Sequence, residues 1–159
     1  MALDPTAREA NLIDSIKKYF VDNFHTTEGI YLSFDRFIDA NDIVNTAPPS
    51  INRWISVVFG QMIRDIMGTF SLDVFCCTRQ DEEGFRLAQL CDTVMGYLTD
   101  TDITDTMKRI TLYRSRATGA WTDIGSILVH NIIESPRMLA PDESKYKILT
   151  VILRWSSKI

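Results

Sequence analysis

Three cysteines and two histidines are the residues of this chain best suited to chemistry, and their spacing limits what they can do. A thiol hydrolase needs a cysteine in electropositive, partly exposed surroundings, a histidine to activate it and an acid or amide to orient the histidine. Cys76 or Cys91 with His130 and Asp73 would be the nominees. Cys91, however, falls on the apolar stripe of a helical segment, and no Cys-x-x-Cys or His-x-x-x-His spacing offers a metal site. An odd cysteine count with an adjacent pair does not fit a secreted disulfide framework. In a strand, Cys76 and Cys77 point to opposite faces and cannot bridge. All three are expected as buried free thiols acting as small hydrophobes, in a chain kept in a reducing cytoplasm.

The other residue classes point the same way. The glycines at 29, 60, 68, 84, 96, 119 and 125 never fall into a phosphate-loop or dinucleotide spacing. Asp39 and Asp42, and Asp100, Asp102 and Asp105, form loose acidic clusters without the order or the glycine of a calcium loop. Lys108, Arg109, Arg114 and Arg116 gather near a strand end and read as a subunit contact or a solvated edge. Lysine plus arginine is 17 against 21 acids, a net charge of −4, which argues against holding DNA on a broad basic face. No catalytic residue, cofactor or metal is expected.

These residues hang on a chain of 159 amino acids, 45% apolar and 24% charged, the size and balance of one folded domain spanning 1–159. No apolar run approaches the ~20 residues of a membrane span. The N-terminus lacks the basic and apolar regions of an export signal. Asp4-Pro5 opens a helix over about residues 5–24, with Ala10, Ile13, Ile16, Phe20 and Phe24 at helical spacing. Ile30 to Phe34 reads as a strand, and the turn-rich stretch 35–53 as a long loop of the kind that carries function. Trp54 to Phe59 reads as a strand stopped by Gly60. The chain then returns through Phe70, Leu72, Val74 and Cys76 as a hairpin, with residues 61–67 open to a short helix.

Asp81, Glu82 and Glu83 start a second helix over 81–98, with Leu87, Leu90, Cys91, Val94, Met95 and Leu98 as its apolar stripe. Strands follow at 107–113, 121–133 and 146–155, with a loop or arm from Pro136 to Ser144. The order α-β-β-β-α-β-β-β predicts an α+β fold. It has a mainly antiparallel or mixed sheet of about six strands, with both helices on one face.

The last strands carry the functional argument. Leu149, Val151, Leu153 and Trp155 share one side of the final strand, and Tyr146, Ile148, Thr150, Ile152 and Arg154 share the other. In the preceding strand, Ile127, Val129 and Ile133 are expected opposite Ile124, Leu128 and Ile132. A sheet covered on one face should alternate apolar and polar residues, and these strands do not. Six strands span ~29 Å, and two helices each ~10 Å across cover most of one face only. Either the loops fold over the second face, or another subunit covers it. The second alternative is preferred, which makes the chain a self-associating or docking protein. Candidate subunit or tube contacts are Trp54, Met62, Ile63, Ile66, Met67, Arg114, Arg116, Trp121, Tyr146, Ile148, Ile152 and Arg154.

The layout resembles that of bacteriophage tail terminator proteins, of the kind found in phages with long noncontractile tails. The resemblance is carried by the first helix with Ala10, Ile13, Ile16 and Tyr19-Phe20, the strand Ile30 to Phe34, and the long turn-rich loop. It continues in the run Leu72-Asp73-Val74-Phe75-Cys76-Cys77-Thr78-Arg79-Gln80-Asp81 leading into a helix with Leu87, Leu90 and Asp92, and in the closing strand Leu149 to Trp155. It implies a structural virion protein: a hexameric ring that caps the head-proximal end of the tail tube and ends its polymerisation. The ring would contact the tail tube protein and the head's neck connector, and DNA would pass through its lumen without sequence-specific binding. Its place would be the virion tail, and the host cytoplasm during assembly. The family has no catalytic residue to carry over, and the strand ending near Ile159 leaves no long C-terminal arm. The runner-up is a head-completion or neck protein. Beyond that class stand a small cysteine hydrolase and a regulatory domain that binds a small ligand.

Overall fold

A computed structural model describes residues 8–35, 52–63, 68–79, 81, 83–100, 106–107, 109–114, 122–139 and 144–157. Helix α1 runs over Arg8–Phe20 and continues without a break as a π-helical stretch, Val21–Thr27. Leu12, Ile16, Phe20 and Phe24 are its buried apolar residues on one line, each four after the last. A strict step of four drifts around an α-helix of 3.6 residues per turn, and the wider π turn brings Phe24 back into line. Phe24 then meets Phe20 edge-on, with ring centroids 5.0 Å apart. The Asp4-Pro5 entry expected for this helix lies outside the described residues.

Strand β1 (Tyr31–Phe34) pairs in parallel with β2 (Arg53–Ile63), which returns antiparallel as β3 (Gly68–Thr78). Asp35 ends β1 with a left-handed backbone, φ 54°, a conformation aspartate tolerates better than most residues. Its N–H donates to the Val57 carbonyl at 2.6 Å, and its carboxylate accepts the Phe59 N–H at 3.1 Å, so one side chain finishes the β1–β2 ladder. Gly60 does not stop β2 as expected. The strand runs on to Ile63 through a shift of register between Phe59 and Met62, which removes the helical option at 61–63; residues 64–67 lie outside the described residues.

Helix α2 covers Phe85–Leu98 and begins after Gly84, whose φ of 76° suits glycine. The expected start at Asp81 comes too early, because Asp81 works as a cap. Its carboxylate accepts the N–H groups of Leu87 at 2.9 Å and Arg86 at 3.3 Å, two of the orphan donors of the first turn. The short strands β4 (Thr99–Asp100) and β5 (Thr106–Met107) pair with each other, and β6 (Arg109–Arg114) leads to β7 (Thr122–Glu134). Strand β8 (Met138–Leu139) and the final β9 (Lys145–Ser157) complete the sheet. The spatial order is β1-β2-β3-β9-β7-β6, with β8 beside β9, and every pairing except β1–β2 is antiparallel. The fold is α+β: a mixed sheet with two helices.

Both helices share one core with one face of this sheet. Leu12, Ile16 and Phe20 of α1 and Leu87, Leu90 and Val94 of α2 cluster with Ile55, Val57, Leu72, Val74, Val151 and Leu153. Strand β7 departs from simple alternation. A bulge at His130, between Val129 and Asn131, inserts one residue and exchanges the faces beyond it. Ile132 therefore packs against the core and Ile133 points out, the reverse of the expected arrangement.

Candidate interaction surface

The pairing registers place the outward side chains of the middle strands among the described residues. Across the middle strands, Phe75 of β3 lies opposite Ile148 of β9, Asp73 opposite Thr150, and Ser71 opposite Ile152. On β7, Ile133 lies opposite Thr150, Asn131 opposite Ile152, and Leu128 opposite Arg154. All of these alternate with core residues, so they form the face turned away from both helices. Phe75, Ile148, Ile152 and Leu128 are half-buried, and Ile133 is 54% exposed. Asp73 is tied down, its carboxylate accepting the Thr150 hydroxyl at 2.8 Å. The face is an apolar strip set in short polar residues, wider than a solvated strand surface requires.

One corner of this face is closed by the chain itself. Trp54 is 1% exposed and packs with buried Cys77 against half-buried Tyr31, Phe75 and Tyr146. Its side chain offers no free surface in this chain, which corrects its expected place among the outward contacts. Its indole N–H is buried and finds no hydrogen-bond partner among the described residues. The strip that remains open runs across β9 and β7.

The remaining expected contacts are scattered. Tyr146, Ile148, Ile152 and Arg154 do share the outward face of β9, as alternation requires. Ile63, 53% exposed, lies opposite Thr69 on the same face at the far end of the β2–β3 hairpin, whereas Met62 packs against the core. Arg114 is the last residue of β6, and its side chain lies outside the description. Ile66, Met67, Arg116 and Trp121 lie outside the described residues. Sequence reasoning left Phe75, Leu128 and Ile133 out of the contact set. Alternation against Val74 and Cys76 would have found Phe75, but the bulge at His130 hid Ile133.

Beside this face, α1 and the edge strand β6 enclose an open cleft of about 250 Å³. Lys18, Tyr19 and Asp22 line it from the helical side, and Arg109, Thr111 and Tyr113 from the strand. Lys18 pairs with Asp22 at 2.6 Å and lies over the Tyr113 ring at 5.8 Å. Ser15 is buried where α1 meets β6, and its hydroxyl accepts the Tyr113 N–H at 2.8 Å while donating to the Asn11 carbonyl at 2.6 Å.

The groups nominated for thiol chemistry are kept apart. Cys76 faces the helices and its thiol is hydrogen-bonded to Cys91; Asp73 sits on the opposite face, and His130 is exposed at the bulge. The bond to Cys91 and complete burial push the Cys76 thiol well up. The same bond, assisted by the Lys147 ammonium and opposed by burial, draws Cys91 down. All three cysteines are buried free thiols. Among the described residues no group of histidine, cysteine and acidic side chains could hold a metal, and no helix is long and apolar enough to cross a membrane.

No protein-family model matches the chain, and no curated protein does. Solved structures do match its fold. One superposes with a TM-score of 0.55 at 8% identity, over 90% of this chain and 94% of its own. At that identity the likeness concerns the fold alone.

Proposed function

We propose that this chain is a structural ring subunit of the tail terminator type, which caps a phage tail tube at its head-proximal end. The observation that carries the reading is the strip of Phe75, Ile148, Ile152, Leu128 and Ile133 on the sheet face away from both helices. Half-exposed apolar side chains in one contiguous strip are an interaction site in a soluble protein, and an interface between identical subunits covers them without any other component. The net charge of −4 suits a conduit that DNA must leave again, because phosphates are not held electrostatically. The tail tube protein and the neck connector are the partners this role requires. The separation of Cys76, Asp73 and His130 favours a binding role over a thiol enzyme.

Sedimentation velocity of the purified chain tests the assembly. A species of about six chains, alone or on added tube protein, is the expected result; a monomer under both conditions overturns it. Electron microscopy of particles made without the chain tests the position. Tails of uncontrolled length are expected, whereas normal tails detached from leaking heads assign the chain to the neck instead.

A further inference from the structure

We infer that Cys76 of β3 and Cys91 of α2 form a modification site: a thiol pair that a small peroxide joins into a disulfide, tying the second helix to the sheet. Both thiols lie in the core cluster between helix and sheet, and they are hydrogen-bonded to each other. A disulfide requires two side chains that already point at one another, and sulfurs in hydrogen-bond contact meet that condition by side-chain rotation alone. Cys77 cannot compete. It faces the other side of β3, enclosed with Trp54. The three cysteines thus supply one matched pair and one bystander, which neither their odd count nor their spacing revealed.

The neighbours give the two thiols different roles. Cys76 lies opposite Lys147 in the β3–β9 ladder, so the lysine projects from the same face of the sheet. Its ammonium pairs with Glu134 at 3.0 Å. The bond from Cys76, and after it the Lys147 ammonium, favour the thiolate of Cys91 against burial and the carboxylates of Glu134 and Asp92. Cys91 is also the more accessible of the two, 4% exposed where Cys76 is 0%. Cys91 is therefore the attacking sulfur and Cys76 the resolving one. The Cys91 thiolate takes one peroxide oxygen, the O–O bond breaks, and hydroxide leaves. The Cys76 sulfur then displaces the hydroxyl from the Cys91 sulfenic acid, and its own proton departs with that hydroxyl as water. The proton first lost from Cys91 neutralises the hydroxide. Two thiols and one hydrogen peroxide give one disulfide and two waters, with two electrons passing from sulfur to oxygen. Enclosure keeps out larger reagents, and the bridge concerns one chain alone, so the inference stands apart from ring assembly.

Dilute hydrogen peroxide applied to the native full chain, followed by intact-mass and peptide-mapping mass spectrometry, tests this. The expected product is two hydrogens lighter than the starting chain, joins the tryptic peptides that hold Cys76 and Cys91, and reverts with dithiothreitol. Cys77→Ala should form the same bridge at a rate within about twofold of the wild type, because its thiol takes no part. Cys76→Ala should stop at a Cys91 sulfenic acid that dimedone traps, and Cys91→Ala should leave Cys76 reduced. Circular dichroism checks that each variant is folded, and the wild-type and Cys77→Ala arms decide the matter if a core variant is not. A bridge through Cys77, thiols that survive peroxide unchanged, a Cys91 sulfinic acid without a bridge, or a sulfenic acid on Cys76 in Cys91→Ala overturns the inference.

Discussion

Gly68 lies opposite Trp155 in the β3–β9 ladder, and the indole ring occupies the space that a Cβ at position 68 would need. Trp155 is buried there and closes the core beneath the β2–β3 hairpin. Gly68→Ala must displace the ring from a packed site, at a cost of about 1–3 kcal/mol. Chemical denaturation should show that loss. Combining it with Trp155→Leu should cost less than the sum of the two single changes, because the smaller side chain leaves room for the methyl group.

The Ser15 hydroxyl joins α1 to the sheet at Tyr113, whose backbone N–H it accepts at 2.8 Å. Ser15→Ala leaves that donor without its partner in a closely packed site, a penalty of about 1–3 kcal/mol. Hydrogen exchange should locate the damage, with the Tyr113 amide losing protection while the β3–β9 amides keep theirs. Uniform loss across the sheet would mean that Ser15 acts through general packing instead.

The main elements were legible because their patterns are local. The alternation of Leu149, Val151, Leu153 and Trp155 against Tyr146, Ile148 and Ile152 is visible in the final strand, and the structure buries the first set and half-exposes the second. The exchange of Ile132 and Ile133 was not legible, because the bulge at His130 is an insertion relative to β9 and depends on a distant partner strand. Gly60 misled for a related reason: a glycine in an apolar run can end a strand or mark a bulge within it, and here it sits at a shift of register within a continuing strand. Trp54 looked like an outward contact because its own segment is apolar throughout, and its burial comes from Tyr31, Phe75, Cys77 and Tyr146 on three other strands. The parallel addition of β1 could not be read from a connection whose length alone was visible.

Acid should weaken the fold through Asp81. Burial alone would raise its carboxyl, but the N–H groups of Leu87 and Arg86 and the Thr78 hydroxyl outweigh it and hold the group below its ordinary value of 3.8. A depressed native pKa stabilises the fold above the unfolded-state value, and the contribution disappears as pH falls from there through the native value. Thermal melts of the wild type and Asp81→Asn should therefore differ most at neutral pH and converge as the solution is taken below pH 3.8. A constant difference between the two would show that Asp81 contributes by shape rather than charge.

Thiol reagents offer an independent measure of global opening. Cys76 and Cys77 are fully enclosed on opposite faces of β3, and Cys91 is buried on α2 against Cys76. Labelling by a disulfide reagent at pH 8 should be slow in the native chain and should quicken in parallel with unfolding as urea is added. Cys91→Ser and Cys76→Ser should change the number of labelled sites and lower stability, because each places a hydroxyl in an apolar site. Rapid labelling of Cys91 in the native chain would instead reveal an accessible nucleophile and reopen the case for thiol chemistry.

Ile133 allows assembly to be separated from folding. It is 54% exposed and contributes little to the core, so Ile133→Lys should change stability by no more than about 0.5 kcal/mol. If the strip it shares with Ile148 and Ile152 is the subunit contact, the same change places an ammonium against apolar partners and should disperse the ring, at a cost set by burying an unpaired charge. Leu139→Lys supplies the comparison: this residue is 66% exposed but lies on β8, away from the Ile133 strip. Sedimentation velocity should find smaller species for Ile133→Lys and unchanged assembly for Leu139→Lys, with both variants folded by circular dichroism. Intact rings from Ile133→Lys would move the contact elsewhere on the molecule.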